Sequence, residues 1–243
     1  MNKIKTIKIF DVNISKIDNE SFLRLINEGI AGKSKLCIAY ANADSLNKIY
    51  DNNELRKAYS SFPVIHPDGI GVYLASKFLY GDKGLESRLT GSDFYELLIK
   101  NSILHNHSIY FFGHTEEILN EIANIHPELK IAGLQEGYSF SSEIVISDIN
   151  RLNPDIIIIG LSCPVQEKWM FQNRDKINFG IMLAVGDGIK VFANKKIRGP
   201  LFIRRSGFEW FVRFILDPVS NFKKYIIGNP LFVFRIIREK FKS

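Results

Sequence analysis

Cysteine is scarce. Cys37 and Cys163 are the only two in 243 residues and show no CxxC spacing, which excludes a disulfide framework or a cysteine zinc site and suits a reducing cytosol. Histidine is thin as well: His66, His105, His107, His114 and His126 lack HExxH or any similar helical spacing, so no metal site is expected. The chain has no GxGxxG, no P-loop and no GxSxG, which removes the usual support for dinucleotide oxidoreductases, P-loop NTPases and α/β-hydrolases. It also lacks Asp-x-Asp, the carboxylate pair with which many sugar transferases hold a divalent ion. Nowhere do about 18 consecutive apolar residues occur, so no conventional transmembrane helix is expected. Residues 1–10 alternate Lys with Ile around no long apolar core and are not expected to be a secretory leader.

What is present is an ordinary globular mixture, 46% apolar and 24% charged, long enough to bury a full core. The net charge of +6 is unevenly spread. Residues 195–243 carry 12 Lys+Arg against 3 Asp+Glu, a balance of +9, and the rest of the chain is therefore at −3. The same C-terminal fifth is rich in Phe, Trp and Tyr. Aromatic residues beside a cationic helix face suit a membrane interface, where each basic residue near anionic lipid contributes about 1 kcal/mol. Docking of these helices on the core is compatible with that reading. Nucleic-acid binding is not expected, because no recognisable motif accompanies the charge.

Apolar periodicity predicts an alternation of helices and strands. Residues 18–30 read as a helix capped by Asp18, 36–40 as a buried strand, 45–59 as a helix and 63–66 as a strand. A helix to about residue 80 follows, then one over 94–104 that Ser92 or Asp93 can cap. Strands are predicted over 108–112, 130–134, 155–160 and 181–185, with helices opening at Thr115, Ser142 and Gln166. Asp155 to Gly160 is the clearest strand, a β-branched run of the kind buried on both faces of a parallel sheet. The fold class expected is α/β: a Rossmann-like parallel sheet with helices on both faces, over residues 1–194, followed by a basic, aromatic, helical appendage over 195–243.

The chain is organised around His66-Pro67-Asp68-Gly69-Ile70-Gly71. Pro67 denies the ladder its N–H, so the strand is expected to end at His66 and leave Asp68 at the carboxyl edge of the sheet, where open α/β folds place ligands. Asp68 is thus a candidate catalytic base. An Asx-turn or helix N-cap is the competing reading for Asp before Gly.

The order of motifs then carries more than any one of them. Asn42 after a strand, Pro67-Asp68-Gly69-Ile70-Gly71, Arg88-Leu89-Thr90-Gly91-Ser92-Asp93 and Phe112-Gly113 follow one another. Gly160-Leu161-Ser162-Cys163-Pro164 with Gln166-Glu167-Lys168-Trp169, Arg198-Gly199-Pro200, Gly207-Phe208-Glu209-Trp210 and Arg213 complete the series. Together they resemble the WecG/TagA/CpsF family of bacterial glycosyltransferases, from about residue 7 to residue 234. The resemblance implies a metal-independent, inverting transfer of a sugar from a UDP donor to a polyprenyl-diphosphate-linked sugar at the cytoplasmic membrane face, with no cofactor. It implies Asp68 as the catalytic base and Asn42, Arg88, Gln166, Arg198 and Arg213 as substrate-binding residues, with Arg204 or Arg205 as further appendage arginines. It also implies an appendage that completes the active site and contacts membrane.

Two departures leave the donor sugar open among N-acetylmannosamine, its uronic acid and glucose: Tyr40 stands where the family commonly has Thr, and residues 187–194 replace a Phe-Asp-x-x-Ala-Gly stretch. The alternative function is a non-catalytic membrane-docking adaptor of a polysaccharide biosynthetic complex. Self-association into a homo-oligomer is left open.

Overall fold

The computed structural model describes residues 4–197 and 199–242. The chain begins with an antiparallel hairpin of β1 (Thr6–Ile9) and β2 (Val12–Ser15). It continues through α1 (Asn19–Ala31), β3 (Leu36–Ala41), α2 (Ala43–Asp51), α3 (Asn53–Ser60), β4 (Val64–Pro67) and α4 (Ile70–Tyr80). Next come α5 (Gly91–Leu104), β5 (Ile109–Gly113), α6 (Glu116–Ile125), β6 (Ile131–Gln135), α7 (Ser142–Leu152), β7 (Ile156–Gly160), α8 (Val165–Asn173), β8 (Ile181–Ala184) and α9 (Ile189–Phe192). The tail holds α10 (Leu201–Ser206), α11 (Glu209–Leu216), α12 (Pro218–Phe222), a π-helical stretch Lys223–Ile227 and α13 (Gly228–Lys240).

Strands β3 to β8 form one six-stranded sheet in the order β4-β3-β8-β7-β5-β6, and every pairing is parallel. Because successive side chains on a strand point to opposite faces, the β-branched run of β7 feeds two cores at once. Ile157 and Ile159 join one core, under the hairpin, α7 and α8; Ile156 and Ile158 join the other, under α1, α5 and α6. The expected α/β fold with helices on both faces is therefore present.

The differences in detail have local causes. The hairpin is not predicted, since its two-residue turn, Phe10-Asp11, takes positive φ (50° and 64°) without the Asn or Gly that usually marks such a turn. Phe10 is held there by its ring, which is 3% exposed and packs edge-on against Tyr50 and Phe232. The helix expected over residues 45–59 is two helices, because Asn52 leaves helical geometry and its side chain caps α3 by accepting from the Leu55 N–H at 3.0 Å. Pro67 does not stop β4 at His66: Pro67 stands in register with Ala41, and the next N–H, that of Asp68, donates to the Ala41 carbonyl at 2.8 Å.

The tail divides into two parts. α13 returns to the core, where Phe232 and Ile236 are buried and Arg235 places Nη2 on both Asp51 oxygens (2.7 and 2.8 Å) and Nη1 on the Asn47 carbonyl (2.8 Å). α11 buries no residue and leaves Phe211, Ile215 and Leu216 exposed. No helix among the described residues is long and apolar enough to cross a membrane.

Candidate active site

The carboxyl ends of β3, β4 and β8 open into a cavity of about 580 Å³, roofed by the tail. This is the edge at which parallel α/β sheets bind ligands, and the volume suits a small organic substrate. Asp68, Asn42, Arg88 and Arg213 all line it. Arg198 lies outside the described residues, as does the side chain of Arg205.

Asp68 is partly exposed, and its two oxygens differ. Oδ1 accepts the backbone N–H of Gly91 at 2.9 Å, while among the described residues Oδ2 meets only a long contact from Asn42 Nδ2 at 3.4 Å. This bond explains why α5 starts at Gly91, earlier than expected: the first turn is met by a carboxylate from β4's end rather than by Ser92 or Asp93. A side chain at position 91 would press on Tyr95 (3.0 Å) and on Asp68 Oδ1 (3.4 Å), so glycine permits the contact. One oxygen is thereby anchored and the other left able to accept a proton.

Asn42 does two jobs. Its Oδ1 caps α2 by accepting from the Ser45 N–H at 2.9 Å, the Ser45 hydroxyl accepts the Asn42 N–H in return, and its Nδ2 is directed to Asp68. The neighbouring His66 is fully buried, and burial holds its pKa below the usual value although the Asp68 charge pulls the other way. It does not line the cavity. Tyr95 does, and burial, reinforced by the Asp68 charge, keeps its phenol far from ionising.

Arg88 reaches the tail, donating through Nη2 to the Arg204 carbonyl. Gly207, which ends α10 in a left-handed conformation (φ 87°), leaves room for that guanidinium: a Cβ there would come within 2.9 Å of Arg88 Nη1. Arg204 pairs with Asp93 at 2.5 Å and Arg213 with Glu209 at 2.5 Å, which together tie the roof to α5 and fix α11 internally. The Nε–H groups of Arg204 and Arg213 are buried and make no hydrogen bond among the described residues.

Gln166 is placed differently from the other expected site residues. It is fully buried beneath the cavity floor, where Oε1 accepts the Gly186 N–H at 2.9 Å and Nε2 donates to Glu167 at 2.8 Å. Its amide therefore braces the turn after β8. Glu167 is held above the usual carboxylate range by burial, with hydrogen bonds from Gln166 and Tyr59 acting against that.

Several lining residues carry no motif and escape sequence reading: Lys190, Lys196 and Lys224. The basic excess of residues 195–243 is the one signal that pointed to two of these lysines, without placing either. Among the described lining residues seven cationic side chains face five carboxylates. No cluster of three or more His, Cys, Asp or Glu that could hold a metal ion occurs among the described residues.

A cavity that gathers cations near Asp68, whose Oδ2 is left available, suits an anionic substrate and a proton to be removed. On a Rossmann-like sheet this is compatible with a group transferase. The particular family follows from the sequence: the model described as "Glycosyl transferase WecG/TagA/CpsF family" matches residues 7–243, and the chain belongs to that family. Among curated relatives, the N-acetylglucosaminyldiphosphoundecaprenol N-acetyl-beta-D-mannosaminyltransferase of Bacillus subtilis (strain 168) is 29% identical over 185 residues, 74% of this chain and 71% of that protein. The enzyme of the same name from Staphylococcus aureus (strain NCTC 8325 / PS 47) is 24% identical over 236 residues, 93% of this chain and 91% of its own.

Proposed function

We propose that the protein is an inverting glycosyltransferase that moves an N-acetylmannosamine-type hexose from a UDP donor to a polyprenyl-diphosphate-linked sugar. Asp68 is the general base. The observation that carries this reading is the unequal pair of oxygens on Asp68, one fixed by Gly91 and one open to a cavity lined with cations. The acceptor hydroxyl gives its proton to Oδ2 as its oxygen attacks the anomeric carbon, and the bond from that carbon to the diphosphate oxygen breaks with its electron pair leaving on UDP. A positioned base contributes roughly 10²–10⁴ in rate. Charge growing on the leaving diphosphate is met by guanidinium and ammonium groups, which make short, charge-assisted hydrogen bonds to phosphate. Arg88 and Arg213 are the described arginines suited to this, and Arg198 belongs to the same proposed set.

Residues 1–194 act as the catalytic core and 195–243 as an appendage that completes the site at the inner face of a membrane. Support for the membrane role comes from exposed Phe211, Ile215, Val219 and Phe222 in a segment that also carries the chain's positive excess. Amphipathic, basic helices of this kind bind anionic lipid surfaces. Gln166 acts beneath the donor by fixing the Gly186 turn.

The test is UDP release from UDP-N-acetylmannosamine in the presence of a polyprenyl-diphosphate-linked N-acetylglucosamine, with UDP-glucose and the uronic acid donor as competitors. Release that depends on both substrates supports the assignment. No release with any lipid-diphosphate acceptor, in a protein that still binds vesicles, would contradict it and favour a docking adaptor.

A further inference from the structure

The turn Gly186-Asp187-Gly188 and the start of the tail meet in an ion pair whose partners are unequally buried. The Lys196 side chain is 10% exposed and Asp187 is 58% exposed. Lys196 Nζ donates to Asp187 Oδ2 and, at 3.1 Å, to the Asp187 carbonyl, while Asp187 Oδ1 holds a second ammonium, Lys190, at 3.0 Å. One carboxylate thus serves two lysines, both on the cavity wall.

Such a pair is lopsided in energy. A nearly buried ammonium needs an anion, since removing its partner leaves a desolvated charge. Asp187 has no matching need, being open to water and keeping Lys190 if it lets Lys196 go. Arg213 and Lys224 line the same cavity and repel the Lys196 ammonium, and burial together with that repulsion lowers its pKa to about 8 despite Asp187. The buried Nε–H of Arg213, which makes no hydrogen bond among the described residues, adds a further donor. The resident carboxylates leave this wall short of negative charge, and a diphosphate is the anion whose charge and several acceptor oxygens would fill it.

Building on the proposed UDP-dependent transfer, we infer that Lys196 is a diphosphate-binding residue of the donor site, and that Asp187 is a place-holder which the incoming diphosphate displaces from it. When the glycosidic bond to the donor breaks, UDP gains one negative charge, and the ammonium released from Asp187 is positioned to take it up. The proton removed from the acceptor stays on Asp68, so Lys196 acts as a cation and transfers no proton.

The two halves of the ion pair then have opposite effects on binding, which a merely structural pair would not produce. Equilibrium binding of UDP alone, by calorimetry on the full-length protein, tests this. Lys196→Met is expected to weaken UDP by about tenfold or more, the loss of one charged hydrogen bond, and Lys196→Arg to retain most of the affinity. Asp187→Asn, which removes the competing charge and keeps the side chain's shape, is expected to tighten UDP by a few-fold. Weakening by both Lys196→Met and Asp187→Asn, or wild-type affinity in Lys196→Met, would overturn the inference while leaving the transferase reading in place. A wild-type protein that binds no UDP would instead remove the donor assignment itself, and this inference with it.

Discussion

α11 and α13 come from the same basic, aromatic tail and are used in opposite ways. α13 lays Phe232 and Ile236 into the core beneath α2 and α4 and fixes Arg235 on Asp51 and Asn47. α11 contributes Trp210, Arg213 and Leu216 to the cavity and leaves Phe211 and Ile215 exposed. Composition alone does not separate them. The difference lies in where each apolar face goes: α13 packs into the core while Asn229, Phe232 and Val233 also line the cavity, whereas α11 buries no residue and, as proposed, serves a membrane.

The contrast between the two helices should show most strongly in stability. Phe232→Ala should cost about 3–5 kcal/mol in a denaturant titration, because removing a buried ring leaves a void, whereas Phe211→Ala should stay within about 0.5 kcal/mol and instead reduce flotation with anionic vesicles. Equal stability losses would erase the distinction. A smaller cost, about 1–3 kcal/mol, is expected for Arg235→Ala, which strips the Asn47 carbonyl of its donor; Asp51 is mostly exposed and water takes over there. For UDP binding the expected pH dependence has a definite sign. Lys196, facing Asp187, Lys190, Arg213 and Lys224, is charged below a pKa of about 8, so affinity should fall as pH rises through that value and the fall should flatten in Lys196→Arg, whose guanidinium stays charged. The smallest effect is reserved for the periphery: Lys168→Ala, which loses an exposed pair with Glu54, should change stability by less than about 1 kcal/mol.

Much of the sheet was legible because its strands are short apolar runs that a covered parallel sheet requires, β7 above all. Asp68 was legible for a related reason, since a Pro-Asp-Gly sequence at a strand end can sit only at the rim. Other features depend on partners distant in sequence. The start of α5 is set by a carboxylate 23 positions earlier, and the left-handed Phe10 by a ring in the last helix. Gln166 carries the same motif in either place, so nothing in it distinguishes a wall residue from one beneath the floor. Lys196 lies in a stretch that reads as a break in pattern, and its meaning comes only from the meeting with Asp187.

The proposed mechanism rests on Asp68 taking the acceptor's proton. Asp68→Asn keeps the shape and the Gly91 hydrogen bond and removes the base, so single-turnover transfer should fall by roughly 10²–10⁴ with UDP affinity preserved. Transfer at the wild-type rate in that variant would contradict the account.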